Sequence, residues 1–311
     1  MKLQSPVSVQ QIVEWTNTRL QGDPAFMVSG LNEIHMVVHG DLTFVDHPKY
    51  YDKVLRSAAS VIIINQEVAS PDGKCLLYSD DPFRDYVSLV RRFRAFQPSW
   101  DMVDPRAEIG EGTHIQPGAV VGPDVRIGKN CIIHPNVTIY DHCVIGDNVI
   151  IHSGSVIGAD AFYFKRRPDR FDKLESCGRV VIGDHVEIGA CCTIDKGVSG
   201  DTTIGNHCKL DNHVQIGHDT VIGERCLISS HVAIAGVTRL EDDVILWGQV
   251  AVQKDLVIGK GAVVLAKSGV DKTLEGGKVY FGVPARESRT VWREMVLMKQ
   301  LPEIVEKLKQ L

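Results

Sequence analysis

The 311 residues are 44% apolar and carry 39 acidic against 34 basic side chains, a formal net charge of -5 spread along the whole chain. No basic stripe of the kind that tracks a phosphate backbone is present, so nucleic acid is not an expected partner. The segment MKLQSPVSVQQIVEW lacks the basic start and apolar stretch of a secretory signal, and no apolar run approaches the roughly 20 residues of a membrane span. A cytoplasmic protein is expected, most of its eight irregularly spaced cysteines reduced and acting as small apolar filler.

Residues 1–98 read as a small α/β domain. Ser8 to Thr18 and PKYYDKVLRS form short helices, SVIIIN and KCLLYS are buried strands, and PFRDYVSLVRRFRAF is an amphipathic helix leading out through QPSWDMVDP. Within GDLTFVDHPKYYDKV, Phe44 and Tyr50 stand six residues apart across a turn, a spacing that suits two rings around a planar base or two core aromatics. Walker and Rossmann phosphate loops are absent.

From residue 105 to 270 a period of six dominates. Ile, Val or Leu fills all 24 in-frame positions, from Ile109 to Ile157, from Ile182 to Ile194 and from Ile204 to Val270. Neither a helix of period 3.6 nor a strand of period 2 sustains such a pattern. A three-faced coil does, sending one aliphatic side chain inward per unit, with 18 residues per turn and about eight turns. Glycine after the aliphatic residue, as in Ile127-Gly128, is expected to supply permissive backbone near the corners. Two excursions interrupt the series, GADAFYFKRRPDRFDKLESCGRV and the shorter KGVSGD. The first, charged and aromatic, is a candidate ligand wall. Beyond GVPAR, residues 287–311 have helical spacing interrupted by Pro302, predicting one or two terminal helices, for which a cap on the solenoid end is one of the readings open.

Most histidines occupy ordinary coil positions. His213 and His218 lie in KLDNHVQIGHDTVIG, where Asp211, Asn212 and Asp219 crowd polar groups into less than half a coil. A histidine there suits general-base work, with a carboxylate to orient the ring or the substrate. A structural histidine is the competing interpretation. So is a zinc site drawing on His185, His207, His213 and His218, although no familiar ligand motif appears.

Taken together, LTFxxxPKY, the interrupted solenoid, VEIGACCTIDKG, DTTIGN, LDNHVQIGHD and a helical tail resemble the UDP-3-O-acylglucosamine N-acyltransferases of lipid A synthesis over nearly the full length. The resemblance implies a mainly β fold: a left-handed parallel β-helix over residues 99–285, a uridine-nucleotide-binding α/β domain over 1–98, and a helical extension over 286–311. It implies a homotrimer that moves a 3-hydroxyacyl chain from the 4'-phosphopantetheine of acyl carrier protein to the 2-amino group of a UDP-glucosamine derivative. No metal, bound cofactor or integral membrane segment is implied.

His218 matches the family's general base, and Asp211 the acidic residue that helps place the amine or orient the base. Phe44, His47, Lys49 and Tyr50 match the uridine-binding turn. Asp160, Phe162 and Asn212 match the sugar and phosphate wall, and Gly236 and Asp255 the acyl-pantetheine subsite. Four positions depart from the family pattern: His47 for asparagine, Asp255 for a second histidine, and Ala161 and Tyr163 for glycines. A donor other than acyl carrier protein, such as an acyl- or acetyl-CoA, or another nucleotide sugar stays open at this point.

Overall fold

Each six-residue unit of the solenoid sends two side chains inward rather than the single one expected. In the strand Arg126–Ile127, Ile127 and the preceding Val125 are both buried while Arg126 between them faces out, the alternation that extended backbone imposes. The second inward position accounts for five of the eight cysteines, whereas Cys191 is an exposed corner residue and not apolar filler. Cys131, Cys143, Cys192, Cys208 and Cys226 all stand two residues before an in-frame aliphatic residue, and all are buried free thiols. Their spacing is therefore regular in the frame of the repeat. Cys208 and Cys226 donate to the carbonyls of Gly223 and Glu241 on the next coil, at 3.0 and 3.2 Å.

The computed structural model describes residues 1–71 and 73–309. It divides into two units. The first comprises Met1–Trp100, Asp160–Arg179 and Lys196–Thr202, and the second Asp101–Ala159, Val180–Asp195 and Thr203–Leu311.

The second unit is a left-handed parallel β-helix of eight coils. Its first and third faces are sheets of eight short strands, and its second face has ten, because Val279–Phe281 and Arg286–Glu287 extend it. In-frame residues stack directly, Ile127 on Ile145 and Ile133 on Ile151, and form one continuous apolar core. The corners use left-handed backbone three residues after the aliphatic position. Asn130, Asn136 and Asn148 sit there at φ of 54°, 61° and 56°. His142, His185, His207, His213 and His231 share that conformation, which short polar side chains tolerate better than branched ones.

Glycine after the aliphatic residue has a different cause from the one expected. Gly128 does not adopt a left-handed φ; a Cβ on it would lie 2.6 Å from the carbonyl carbon of Gly146 on the next coil. Gly110, Gly146, Gly205 and Gly223 are hemmed in likewise by backbone of the following coil. Close approach, not turning, demands glycine there.

Both excursions leave the coil after third-face strands, Val156–Ala159 and Thr193–Asp195, and the ladder closes across each: Ile145 pairs with Ile182 across the first, and Ile194 with Ile216 across the second. The C-terminal segment is a single helix, Ser288–Lys309, with Pro302 inside it and only Ser288 and Val291 buried. No helix among the described residues is long and apolar enough to cross a membrane.

The first unit is a six-stranded sheet in the order β1-β3-β4-β5-β6-β2, formed by β1 Lys2–Ser8, β2 Arg19–Gln21, β3 Met27–Leu31, β4 Asp41–Val45, β5 Val61–Ile64 and β6 Cys75–Tyr78. Strands β3 to β6 run parallel, and β1 and β2 close the edges antiparallel. Helices α1 Val9–Thr16, α2 Tyr51–Leu55 and α3 Pro82–Phe93 complete it. A capping box between Ser8 and Gln11 starts α1, and Asp81 caps α3. The excursion 160–179 belongs to this unit: its strands Phe164–Arg166 and Phe171–Lys173 form a hairpin, and Ala161, Leu174 and Cys177 enter the core of Val9, Ile12 and Tyr86.

Candidate active site

His218 follows the third-face strand Gln215–Ile216, where the coil turns toward the first face. Its side chain is 18% exposed, and its Nδ1 lies 2.9 Å from Oδ2 of Asp219, which is 1% exposed. Asp219 occupies the left-handed corner at φ 56°. A carboxylate at Nδ1 accepts the proton there and makes Nε2 the basic nitrogen of the ring. Nε2 lies against Gly236 on the next coil, where a Cβ would approach it to 2.7 Å. Gly236 thus clears the space in front of that nitrogen. Asp255 stands at the same corner two coils beyond Asp219, exposed, its N–H donating to the Gly236 carbonyl at 3.2 Å.

Asp211 and Asn212 follow the second-face strand Lys209–Leu210, at the other end of the third face from His218. They line a groove of about 540 Å³ with His152, Glu187, Lys209 and Leu227. Asn212 donates to Asp211 through its backbone N–H at 2.8 Å and accepts from the Ala190 N–H at 2.7 Å, which fixes both side chains. His213 is a corner residue stacked on His231 with ring centroids 4.8 Å apart, and His185 stacks on His207 in the same way. Within one chain, then, Asp219 rather than Asp211 meets the His218 ring.

In the first unit the aromatic turn follows the carboxyl end of β4, one of four adjacent parallel strands whose ends form a usual ligand edge. Phe44 is partly buried against Tyr86 and Phe83, at 4.7 and 6.0 Å between centroids. Tyr50 is exposed, its ring beside His47 at 6.0 Å, with the Lys49 ammonium 5.4 Å from its centroid. His47 caps the turn Pro48–Tyr50, its Nδ1 accepting the Lys49 N–H at 3.2 Å. That is the role an asparagine side chain plays at such a position.

The excursion supplies groups that sequence reasoning left without roles. Lys165 pairs with Asp46, lies 3.7 Å from Asp81, and sits over the Phe83 ring. Arg167 joins Asp81 to Asp172 at 2.6 and 2.7 Å. Charge in the excursion was a visible signal, but its partners at the ends of β4 and β6 were not. Asp160 pairs with Lys173 and lies 3.7 Å from the buried Lys196, while Phe162 is almost fully solvent-facing.

Burial, followed by the Glu33 and Asp46 carboxylates, pushes the Tyr163 hydroxyl up to about 12. The folded state therefore holds this proton more tightly than the unfolded chain, whose tyrosines titrate near 10. The stability it contributes is complete below pH 10 and is lost as pH rises toward 12. Tyr163→Phe is expected to flatten that alkaline loss in denaturation series across this range; an unchanged slope would exclude the residue as its source.

Comparisons with known proteins place this geometry. The bacterial transferase hexapeptide family matches residues 106–141, 124–159 and 201–236. The family described as UDP-3-O-(3-hydroxymyristoyl) glucosamine N-acyltransferase, LpxD, matches residues 25–92. The UDP-3-O-acylglucosamine N-acyltransferase of Methylorubrum extorquens is 38% identical, with 90% of this chain and 89% of that protein covered. The chain belongs to the UDP-3-O-acylglucosamine N-acyltransferase family. The enzyme of the same description from Albidiferax ferrireducens is 35% identical, covering 96% of this chain and 94% of its own. Among solved structures, LpxA from Bacteroides fragilis, a UDP-N-acetylglucosamine acyltransferase, aligns with a TM-score of 0.52 at 25% identity, covering 62% of this chain and 74% of that one. The chain is thus an acyltransferase of the hexapeptide-repeat class, and the LpxD match falls on the unit that carries the aromatic turn.

Proposed function

We propose that this N-acyltransferase moves a 3-hydroxyacyl chain from the 4'-phosphopantetheine of acyl carrier protein to the 2-amino group of UDP-3-O-acylglucosamine, in the cytoplasm, as a step of lipid A synthesis. The observation that carries the chemistry is the His218–Asp219 pair at 2.9 Å, with Nε2 facing the space that Gly236 leaves open. The amine attacks the thioester carbonyl, Nε2 takes the amine proton, and collapse of the tetrahedral intermediate breaks the C–S bond. The imidazolium then returns the proton to the departing thiolate. Asp219 holds the tautomer and offsets the charge the ring acquires. The chemistry calls for no metal or resident cofactor.

Phe44 and Tyr50 hold the uracil, with His47 and Lys49 shaping the turn. Asp160, Phe162 and Asn212 wall the sugar and phosphates, and Gly236 and Asp255 flank the pantetheine arm. Tyr50 is the cleaner probe of the nucleotide, because Phe44 also serves the core. Tyr50→Ala is expected to raise KM for the UDP-sugar about 3- to 10-fold, the worth of one aromatic contact, with kcat nearly unchanged. A fall in kcat at unchanged KM would place Tyr50 outside the nucleotide site.

Asp211 and His218 stand at opposite ends of one solenoid face, which supports a site shared between copies of a homotrimer. Mixed trimers assembled from His218→Ala and Asp211→Asn chains are then expected to regain part of the activity that each variant alone lacks. No recovery on mixing would leave each chain with its own complete site. A mass-spectrometric screen of acyl carrier protein against CoA thioesters tests the donor; faster turnover with a CoA thioester would overturn the carrier-protein assignment.

A further inference from the structure

The turn that carries Tyr50 has no anchor of its own. His47, Pro48, Lys49 and Tyr50 are all exposed, so nothing within the turn is buried to fix its height above Phe44. A slack of about 1 Å is enough to spoil an aligned contact, so the supporting residues decide how well the turn can grip a base.

The flanking residues supply the anchors. Behind the turn, the Tyr51 hydroxyl donates to Asn65 Oδ1 at 2.6 Å, and Asn65 Nδ2 donates back to the Asp46 carbonyl at 3.4 Å. In front of it, the Asp46 carboxylate is held by the Lys165 ammonium, which the excursion brings from 119 positions away. The same ammonium lies 3.7 Å from Asp81 and 5.4 Å from the centroid of Phe83, whose ring packs on Phe44. Lys165 thus spans the strand ends of β4 and β6. Its side chain is 28% exposed and that of Asp46 22%, so solvent screens this pair less than a surface pair. Arg167 secures the hairpin separately, through Asp81 and Asp172.

We propose that Lys165 is a positioning residue of the nucleotide site. By holding Asp46 it fixes the turn that sets Tyr50 against the base, and it neutralises the charge that Asp46 would otherwise present to a uridine diphosphate. This role rests on the reading of Phe44 and Tyr50 as the uracil clamp.

Titration calorimetry of the full chain with UDP, alongside KM and kcat for the UDP-sugar, tests it. Lys165→Met is expected to weaken UDP binding and raise KM about tenfold, with kcat within about twofold of wild type. Lys165→Arg keeps a cation within reach of Asp46 and should bind UDP nearly as wild type does. The double variant Asp46→Asn/Lys165→Met should bind UDP no more weakly than Lys165→Met alone, because the two side chains act as a pair. Multiplied losses in the double variant would overturn the proposal by making the two residues independent. Equal losses in Lys165→Arg and Lys165→Met would overturn it too, as would a joint fall of kcat and melting temperature, which marks a general prop of the fold. Tyr50→Ala, measured alongside, separates the two readings. Lost UDP affinity there but not in Lys165→Met overturns the role of the lysine alone, whereas unchanged affinity in both overturns the uracil clamp and the proposal with it.

Discussion

His218→Ala is expected to lower kcat by about 10²- to 10⁴-fold, the usual worth of a positioned general base, while KM, melting temperature and oligomeric state stay near wild type. The fold should be indifferent because the ring lies outside the inward column: Ile216 and Val214 fill the axis on either side of Gln215, and His218 begins the corner. Asp219→Asn sharpens the test. An amide that turns its nitrogen toward Nδ1 forces the ring proton onto Nε2 and removes the base while keeping nearly the same shape. It should lose kcat in the same direction with KM unchanged. Substantial activity in both variants would show that the pair, close as it is, takes no part in proton transfer.

Gly128→Ala should destabilise the solenoid by about 1–3 kcal/mol, the cost of overpacking a filled site. Adding a methyl group to glycine ordinarily stabilises by restricting the unfolded chain. Here the new Cβ would lie 2.6 Å from the Gly146 carbonyl carbon, and a backbone paired on both sides cannot retreat without breaking its ladder. Gly248 supplies the control. Its Cβ would meet nothing closer than the Ser230 carbonyl at 3.5 Å, so Gly248→Ala should be neutral or slightly stabilising. Chemical denaturation of both variants measures the contrast, and equal effects would refute the close-approach explanation.

The solenoid was legible because its periodicity is imposed by the core: every in-frame aliphatic residue reports the same axis, so the register from Ile109 to Val270 could be read off directly. The second inward position was less visible, since Cys, Val, Ser and Thr share it and no single residue type marks it. Strands β1 to β4 went unread for a related reason. KLQSPVS and RLQ are edge strands with solvated side chains, and MVSGL is short and interrupted by glycine, so hydrophobic pattern alone does not announce them.

At the site, the GHD sequence showed where a base could stand, but chain proximity alone did not choose between Asp211 and Asp219 as the ring's partner. Corner geometry did, by turning Asp219 back toward Nδ1. The alliance of the excursion with Asp46 and Asp81 was likewise unreadable, because it joins residues more than 80 positions apart.

The first unit borrows Asp160–Arg179 and Lys196–Thr202, and its core includes Leu174, Cys177 and Val198 beside Val9 and Ile12. A ribosome delivers three full coils of the solenoid before the first of these segments and a fourth before the second. Order of synthesis and order of completion are therefore reversed in this chain. The amino-terminal unit waits, with apolar surface uncovered, for parts made after three and then four of the eight coils have emerged, whereas the early coils need only their neighbours to stack. During that interval the uncovered apolar surface lies at the beginning of the nascent chain, not at its growing end.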